Sequence, residues 1–500
     1  MISLARPRRE RTVIDVLERV ASEHTDVEAY VDGGERVTYG DLAARSAGVA
    51  MLLRGLGVGR GDVVAIRLPT SIEYALVYLG ALRLGAIATG INPRLGRREV
   101  DAILARARPV VTVTDGPAPG GPAAVGPGPG RRVLSRSAVA QAPPGDPSWR
   151  PSDLSPDDPV AIVWTSGTTG TPKGAVFDHS NLRALSRATG ELSAPFDRRL
   201  SPVPFAHVGY MTRLWDEIGN AMTSVIVPTP WTAATALDLI ESERVTVGQG
   251  VPTQWELMLR QPDLHRRDLS SLRLIATGAA RVPAALVYQL RRTFRCPVVV
   301  RYATTEASVI SGTLRHDPPE VIEATVGGPC PTVEVRITDD NGQALPTGEV
   351  GMIEVRSQAV MKGYLGLEDP SPIRPDGWLV SGDAGSLDDQ GRIHLVGRRS
   401  EMYIRGGYNV YPLEIEEVLA EHRAVAEAAV AGVPDDVLGS RAVAWVVPVD
   451  PDDPPDLDTL RQWCRDQLAD YKAPDRLVVV ASLPRNQMGK VDKRALIGHF

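Results

Sequence analysis

Residues 159–174 read PVAIVWTSGTTGTPKG, an apolar strand that runs straight into a loop of Ser, Thr and Gly closed by Pro172 and Lys173. Small residues let a backbone pass close to a ligand, and successive amides in such a loop form an anion-binding concavity. The hydroxyls of Thr165, Ser166, Thr168 and Thr169 add donors, Gly167 and Gly170 leave room, and Lys173 adds positive charge. A P-loop needs Gly immediately before its Lys. Pro172 stands there, so the Walker reading fails. The bland alternative is a polar connector; the Pro-Lys pair after the repeated Thr-Gly favours a phosphate loop of another kind.

On either side of this segment the chain keeps an α/β rhythm. Between Val37 and Asp115 amphipathic helical stretches alternate with short strands such as DVVAIRL and GAIATGI, the signature of a largely parallel sheet. The Gly/Pro-rich run 116–130 reads as a surface excursion. Beyond the loop, SVIVP, VTVGQGVP, LRLIATGAA and VVVRYATTE each set an apolar strand before small or polar residues. Ligands collect at the carboxyl ends of strands in open α/β sheets, so these loops are expected to share one edge. From Gly327 to Val396, alternating strands with turns at DDNGQ and DDQGR predict an antiparallel subdomain. A small α+β unit follows. The expected division is an α/β body over 1–399 and a mobile C-terminal domain over 400–500.

Composition narrows the function. A chain of 500 residues is too long for one core. With 43% hydrophobic and 23% charged residues it is an ordinary globular chain. A net charge of -6 without a basic block gives nucleic acid no electrostatic footprint. Cys296, Cys330 and Cys464 fit neither a disulfide framework nor a thiolate metal site, which points to a reducing compartment. The N-terminus lacks the pattern of a signal peptide, and the apolar window 74–91 is broken by Arg83, Gly80 and Gly85 and reads as a buried helix plus strand. A cytoplasmic location without a membrane span is expected.

Taken together, six separated motifs resemble the adenylate-forming superfamily, which includes the acyl-CoA synthetases. They are TSGTTGTPKG (165–174), GAA (278–280), YATTE (302–306), SGD (381–383), GRRSEMYIRGGYNVYPLEIE (397–416) and PRNQMGKVDK (484–493). The resemblance covers nearly the whole chain and keeps the family's order. It implies that a carboxylic acid is activated by ATP to an acyl-adenylate with loss of pyrophosphate, then passed to an acceptor. Thr165–Lys173 would hold the β- and γ-phosphates. Thr305 would contact the α-phosphate and Glu306 coordinate Mg²⁺, for which a carboxylate oxygen is a suitable hard ligand. Tyr302 would stack on adenine, with Gly278, Ala279 and Ala280 along its edge; Asp383 and Arg398 would fix the ribose. Lys490 corresponds to the family's catalytic lysine and Glu401 to its hinge, where Asp or Lys is usual. Ala303, Ser381 and Ser400-Glu401 depart from the common residues without removing a group the first half-reaction requires.

The acid pocket is expected between FAHVGYM (205–211) and GQGVPTQWELM (248–258), with His207 and Trp255 as its notable side chains. A lone His is more often hydrogen-bonded within a core than bound to substrate. These segments offer no basic residue for a second carboxylate and no Asp for an α-amino group, so a monocarboxylic fatty or aryl acid is favoured. CoA is the expected acceptor; the alternative is a carrier protein, an amine or another nucleophile.

Overall fold

The computed structural model describes residues 10–116, 132–151, 153–165, 172–278, 282–366, 371–405, 408–435, 437–485 and 490–498. The chain forms two compact units, one of residues 1–335 with 355–379, the other of 336–354 with 380–500. The expected run 116–130 falls, but for Gly116, outside the described residues.

The first unit holds two large sheets. In the seven-stranded one, Pro159–Thr165 lies between Lys173–Asp178 and Ile87–Gly90. The pairing of Pro159–Thr165 with Ile87–Gly90 is parallel, as the sequence rhythm predicts, whereas Lys173–Asp178 folds back antiparallel and sets Thr165 opposite Lys173. Thr165 and Lys173, on either side of the expected phosphate loop, are thus held opposite each other by the sheet. The nine-stranded sheet contains Leu274–Gly278 parallel to Val298–Thr304, which pairs in turn antiparallel with Ser308–Gly312. Runs such as Val298-Val299-Val300 are β-branched and fully inside, as buried parallel strands require.

Helix Ile72–Arg83 is buried along its whole length, and strand Ile87–Gly90 follows it. Its last residue, Arg83, is 0% exposed, and its hydrogen-bond partners among the described residues are carbonyls and one hydroxyl. It donates to the carbonyls of Ala43, Pro147 and Trp149 at 2.9–3.2 Å and to Ser46 Oγ at 3.1 Å. Burial pushes its pKa down to about 10. Arg83 fastens the 147–149 segment by hydrogen bonds to two of its carbonyls, with the charges of Glu18 and Asp146 acting on it from farther off. No helix among the described residues is long and apolar enough to cross a membrane.

The N-terminal helix Val13–Glu23 begins with a capping box in which Thr12 and Asp15 each accept from the other's backbone amide. One further N-terminal amide, that of Val13, donates to Nδ1 of buried His179 at 3.1 Å. Burial lowers the His179 pKa to about 4, below its usual value of 6.5. Since the folded value lies below the unfolded one, the contribution is present above pH 6.5 and is lost as pH falls toward 4, by about 3 kcal/mol. Comparing thermal midpoints across that window, His179→Gln should flatten the acid slope; parallel curves for the two proteins would show that His179 does not carry it.

The second unit is built around a four-stranded sheet (Glu334–Thr338, Gly351–Arg356, Leu379–Leu387, Ile393–Arg398) and a three-stranded one (Val425–Asp435, Gly439–Pro448, Arg476–Val479). Helix Pro412–Ala420 packs against both Val425–Asp435 and Ile393–Arg398. Residues 336–354 and 380–399 therefore belong to the same packed body as 400–500, and the position 399/400 lies within that body.

Candidate active site

In the first unit, Thr305 and Glu306 occupy the turn that reverses Val298–Thr304 into Ser308–Gly312, and both are half-buried. The turn is tied by Thr304 Oγ1, which accepts from the Ala307 amide at 3.1 Å. Glu306 Oε1 accepts from the hydroxyl of Tyr364 at 2.6 Å, and Lys173 Nζ sits 5.3 Å from the centre of the same Tyr364 ring. Two predicted residues, Glu306 and Lys173, are thereby joined through one that sequence reasoning missed. Its only signal in the chain is an aromatic residue directly after a glycine, in MKGYLG.

Tyr302 is 8% exposed, on the strand next to the one that ends in Gly278. A Cβ on Gly278 would lie 2.4 Å from the Arg301 carbonyl, so no other residue fits without moving the strand. Ser166, Gly167, Thr168, Thr169, Gly170, Ala279 and Ala280 lie outside the described residues. Among the described residues no three His, Cys, Asp or Glu side chains gather to hold a metal ion. Glu306 offers one hard oxygen ligand set, which suits magnesium because that ion completes its shell with water and phosphate oxygens.

His207 caps the short helix Val208–Met211, its Nδ1 accepting from the Gly209 amide at 3.3 Å, and is half-buried. The structure places Trp255 in the hydrophobic core at 0% exposure, edge-on to Phe294. Its indole backs the glycine segment, since a Cβ on Gly248 would lie 2.6 Å from the ring and one on Gly250 3.2 Å from Nε1. Beside His207 the sequence did not reveal an aromatic nest. Phe205 and Tyr210 stack at 3.5 Å, Tyr74 meets both edge-on, and the Tyr30 and Tyr210 hydroxyls are 2.9 Å apart. The Tyr74 hydroxyl is buried and has no hydrogen-bond partner among the described residues. Next to the nest, Phe205, Tyr210, Arg199 and Glu217 help to line a cavity of about 10 Å³, room for roughly one water. Arg199 Nη1 donates to Glu217 at 2.9 Å; burial pushes this arginine down to about 10 and lifts Glu217 against the arginine's pull.

In the second unit Asp383 and Arg398 are cross-strand partners, with Arg398 Nε 3.0 Å from Asp383 Oδ1. Asp383 is 6% exposed, held at its turn by Ser381 Oγ, which accepts from the Asp383 amide at 3.1 Å. Lys490, an exposed residue, lies within electrostatic reach of this pair: partial desolvation of its ammonium and then the positive charge of Arg398 lower its pKa, opposed by Asp383 and Glu401. Glu401, exposed at the end of the short turn Arg399–Glu401, accepts from Lys493 Nζ at 2.7 Å; Lys493 also donates to Glu416 at 2.8 Å. The sequence places Asp383, Arg398, Glu401 and Lys490 more than a hundred residues apart end to end, and the fold sets them in one electrostatic neighbourhood.

Residues 17–365 match the family model described as AMP-binding enzyme, and residues 414–490 the AMP-binding enzyme C-terminal domain. A methyl-dioxo-octahydro-indenyl-propanoyl:CoA ligase from Rhodococcus jostii is 34% identical, covering 97% of this chain and 98% of its own. A fatty acid–[acyl-carrier-protein] ligase, ScoC of Streptomyces coeruleorubidus, is 31% identical over 98% of this chain and 96% of its own. Among solved structures, ATP-bound MatB from Rhodopseudomonas palustris superimposes with a TM-score of 0.86 at 29% identity, over 98% of this chain and 99% of that one.

Proposed function

The chain belongs to the AMP-binding enzymes, the adenylate-forming superfamily, and from that premise we propose that it activates a monocarboxylic acid with ATP and transfers the acyl group to CoA. The observation that carries this reading is the Asp383–Arg398 ion pair at 3.0 Å, with Lys490 in its electrostatic reach. A carboxylate is poorly electrophilic and has no useful leaving group, so activation precedes transfer. The acid's oxygen attacks the α-phosphorus of ATP, pyrophosphate leaves, and an acyl-adenylate remains. Such phosphoryl chemistry asks the protein mainly for positioning and charge stabilisation.

Each group then has a task. The 165–173 loop and Lys173 hold the outer phosphates, and Thr305 contacts the α-phosphate. Glu306 is the ligand for Mg²⁺, which when bound neutralises phosphate charge. Tyr302 and the segment 278–280 bind adenine, and Asp383, oriented by Arg398, receives the ribose hydroxyls. Lys490 meets the acid and the charge developing at phosphorus. The domain division at 399/400 is a division of movement: residues 400–500 turn about Glu401, carrying Lys490 away and bringing the 405–409 segment toward the acceptor's path.

The acid is compact, an aryl or short-chain carboxylate entering beside His207. Support comes from the stacked Phe205 and Tyr210 of the 205–211 segment, which line a cavity with room for about one water. Trp255 shapes this wall from behind through Gly248 and Gly250. Shortening the plug with Tyr210→Ala should raise kcat/KM for ten- to fourteen-carbon acids about tenfold, while short acids gain nothing; an unchanged chain-length profile would move the pocket elsewhere.

A carrier protein is the second acceptor reading, favoured by the likeness to ScoC. The two are separated by incubating the protein with ATP, Mg²⁺ and an acid panel, with and without CoA, and weighing the products. Acyl-CoA formation supports the first. Pyrophosphate release that CoA neither speeds nor diverts supports the second.

A further inference from the structure

We infer that Tyr364 is a positioning residue that holds Glu306 and Lys173 ready for the magnesium–triphosphate while keeping the two opposite charges apart. This rests on the ATP site proposed above and adds to it a residue that no motif marks. Its hydroxyl donates to Glu306 Oε1 at 2.6 Å, and its ring face receives the Lys173 ammonium at 5.3 Å. A hydroxyl bonded to a carboxylate is a charge-assisted contact, and an ammonium over an aromatic face is an attractive one. One neutral side chain therefore satisfies an anion at its edge and a cation on its face.

The backbone around Tyr364 is built for this task. Gly363–Tyr364 forms a two-residue strand on the rim of the seven-stranded sheet, in register with Val176 and Ala175 of the strand that starts at Lys173. The Leu365 amide donates to Gly174 and the Lys362 amide to Val176, each at 2.8 Å. From the same segment the Met361 amide donates to the carbonyl of Glu306 itself at 2.8 Å. Residues 361–365 thus stitch the metal-ligand turn to the phosphate-loop hairpin, two elements that belong to different sheets. Gly363 has φ +144°, a conformation open to glycine, and it directs the next side chain into the gap between them. Without the ring, a flexible lysine and a flexible glutamate are free to pair with each other. That pairing would withdraw both from the ligand.

The two contacts separate by substitution. Tyr364→Phe keeps the ring over Lys173 and loses the donor to Glu306; Tyr364→Leu loses both. Affinity for ATP is measured by calorimetry on the full chain, without acid, once with excess EDTA and once with Mg²⁺. In Tyr364→Phe the gain in affinity that Mg²⁺ confers should shrink about tenfold, with metal-free ATP binding unchanged within about twofold. In Tyr364→Leu metal-free binding should also weaken, about threefold. Melting curves establish that each variant is folded, and should Tyr364→Leu not fold, the Phe variant alone decides. A full Mg²⁺ gain in Tyr364→Phe overturns the inference. Absence of any ATP binding by the unaltered protein would instead overturn the nucleotide-site reading on which it stands.

Discussion

Lys490→Ala should lower the rate of acid-dependent pyrophosphate release by about 10²–10³-fold, the usual cost of removing one preorganised charge-stabilising donor. ATP affinity without acid should change little, because the phosphates keep Lys173 and the nucleoside keeps Asp383. The pH profile supplies a second signature. Partial desolvation and the charge of Arg398 lower the Lys490 pKa, so the ammonium in the free enzyme is lost at a lower pH than for an ordinary lysine. The alkaline limb of kcat/KM, which reports the free enzyme, should lie below the usual lysine range and disappear in Lys490→Ala. A variant that adenylates at the original rate would remove Lys490 from the mechanism.

Glu401→Pro should leave adenylation largely intact and suppress acyl transfer by an order of magnitude or more. Proline fixes φ near −65° and also restricts the residue before it, Ser400. A segment that must change backbone angles between two half-reactions is stalled by that restriction. The substitution also deletes a carboxylate that Lys493 holds at 2.7 Å. Burial raises the pKa of Lys493's other partner, Glu416, against the pull of Lys493, and the lysine keeps this partner when Glu401 is lost. Glu401→Gln separates the causes, since it weakens the ion pair and leaves the backbone free. Single-turnover transfer from preformed acyl-adenylate is the measurement. Equal loss of both half-reactions in the proline variant would place the hinge elsewhere.

The expected site residues came to notice through motifs in a fixed order, Lys173 in TSGTTGTPKG, Asp383 in SGD and Lys490 in PRNQMGKVDK, and not singly, since an Asp after Ser-Gly is by itself an ordinary turn residue. The strand-then-loop rhythm likewise announced parallel sheets. What stayed hidden depends on distant segments meeting. That there are two large sheets follows from pairings such as Tyr30 with Ser224, which no local pattern encodes. The aromatic nest draws Tyr30, Tyr74, Phe205 and Tyr210 from separate elements, so no window of sequence contains it. Arg199 and Glu217 look like surface charges in RRLS and LWDEIG and are inside only because they are paired. Trp255 was expected at a pocket wall, and the two glycines that make room for its ring put it in the core.

The compact acid, the acceptor and the hinge all presuppose that the carboxylate oxygen itself joins the α-phosphorus. That is tested by supplying a turned-over acid with both carboxylate oxygens labelled with oxygen-18 and weighing the nucleotide released. The account predicts one labelled oxygen in AMP and none in pyrophosphate. Label-free AMP, or label recovered in pyrophosphate or inorganic phosphate, would contradict it.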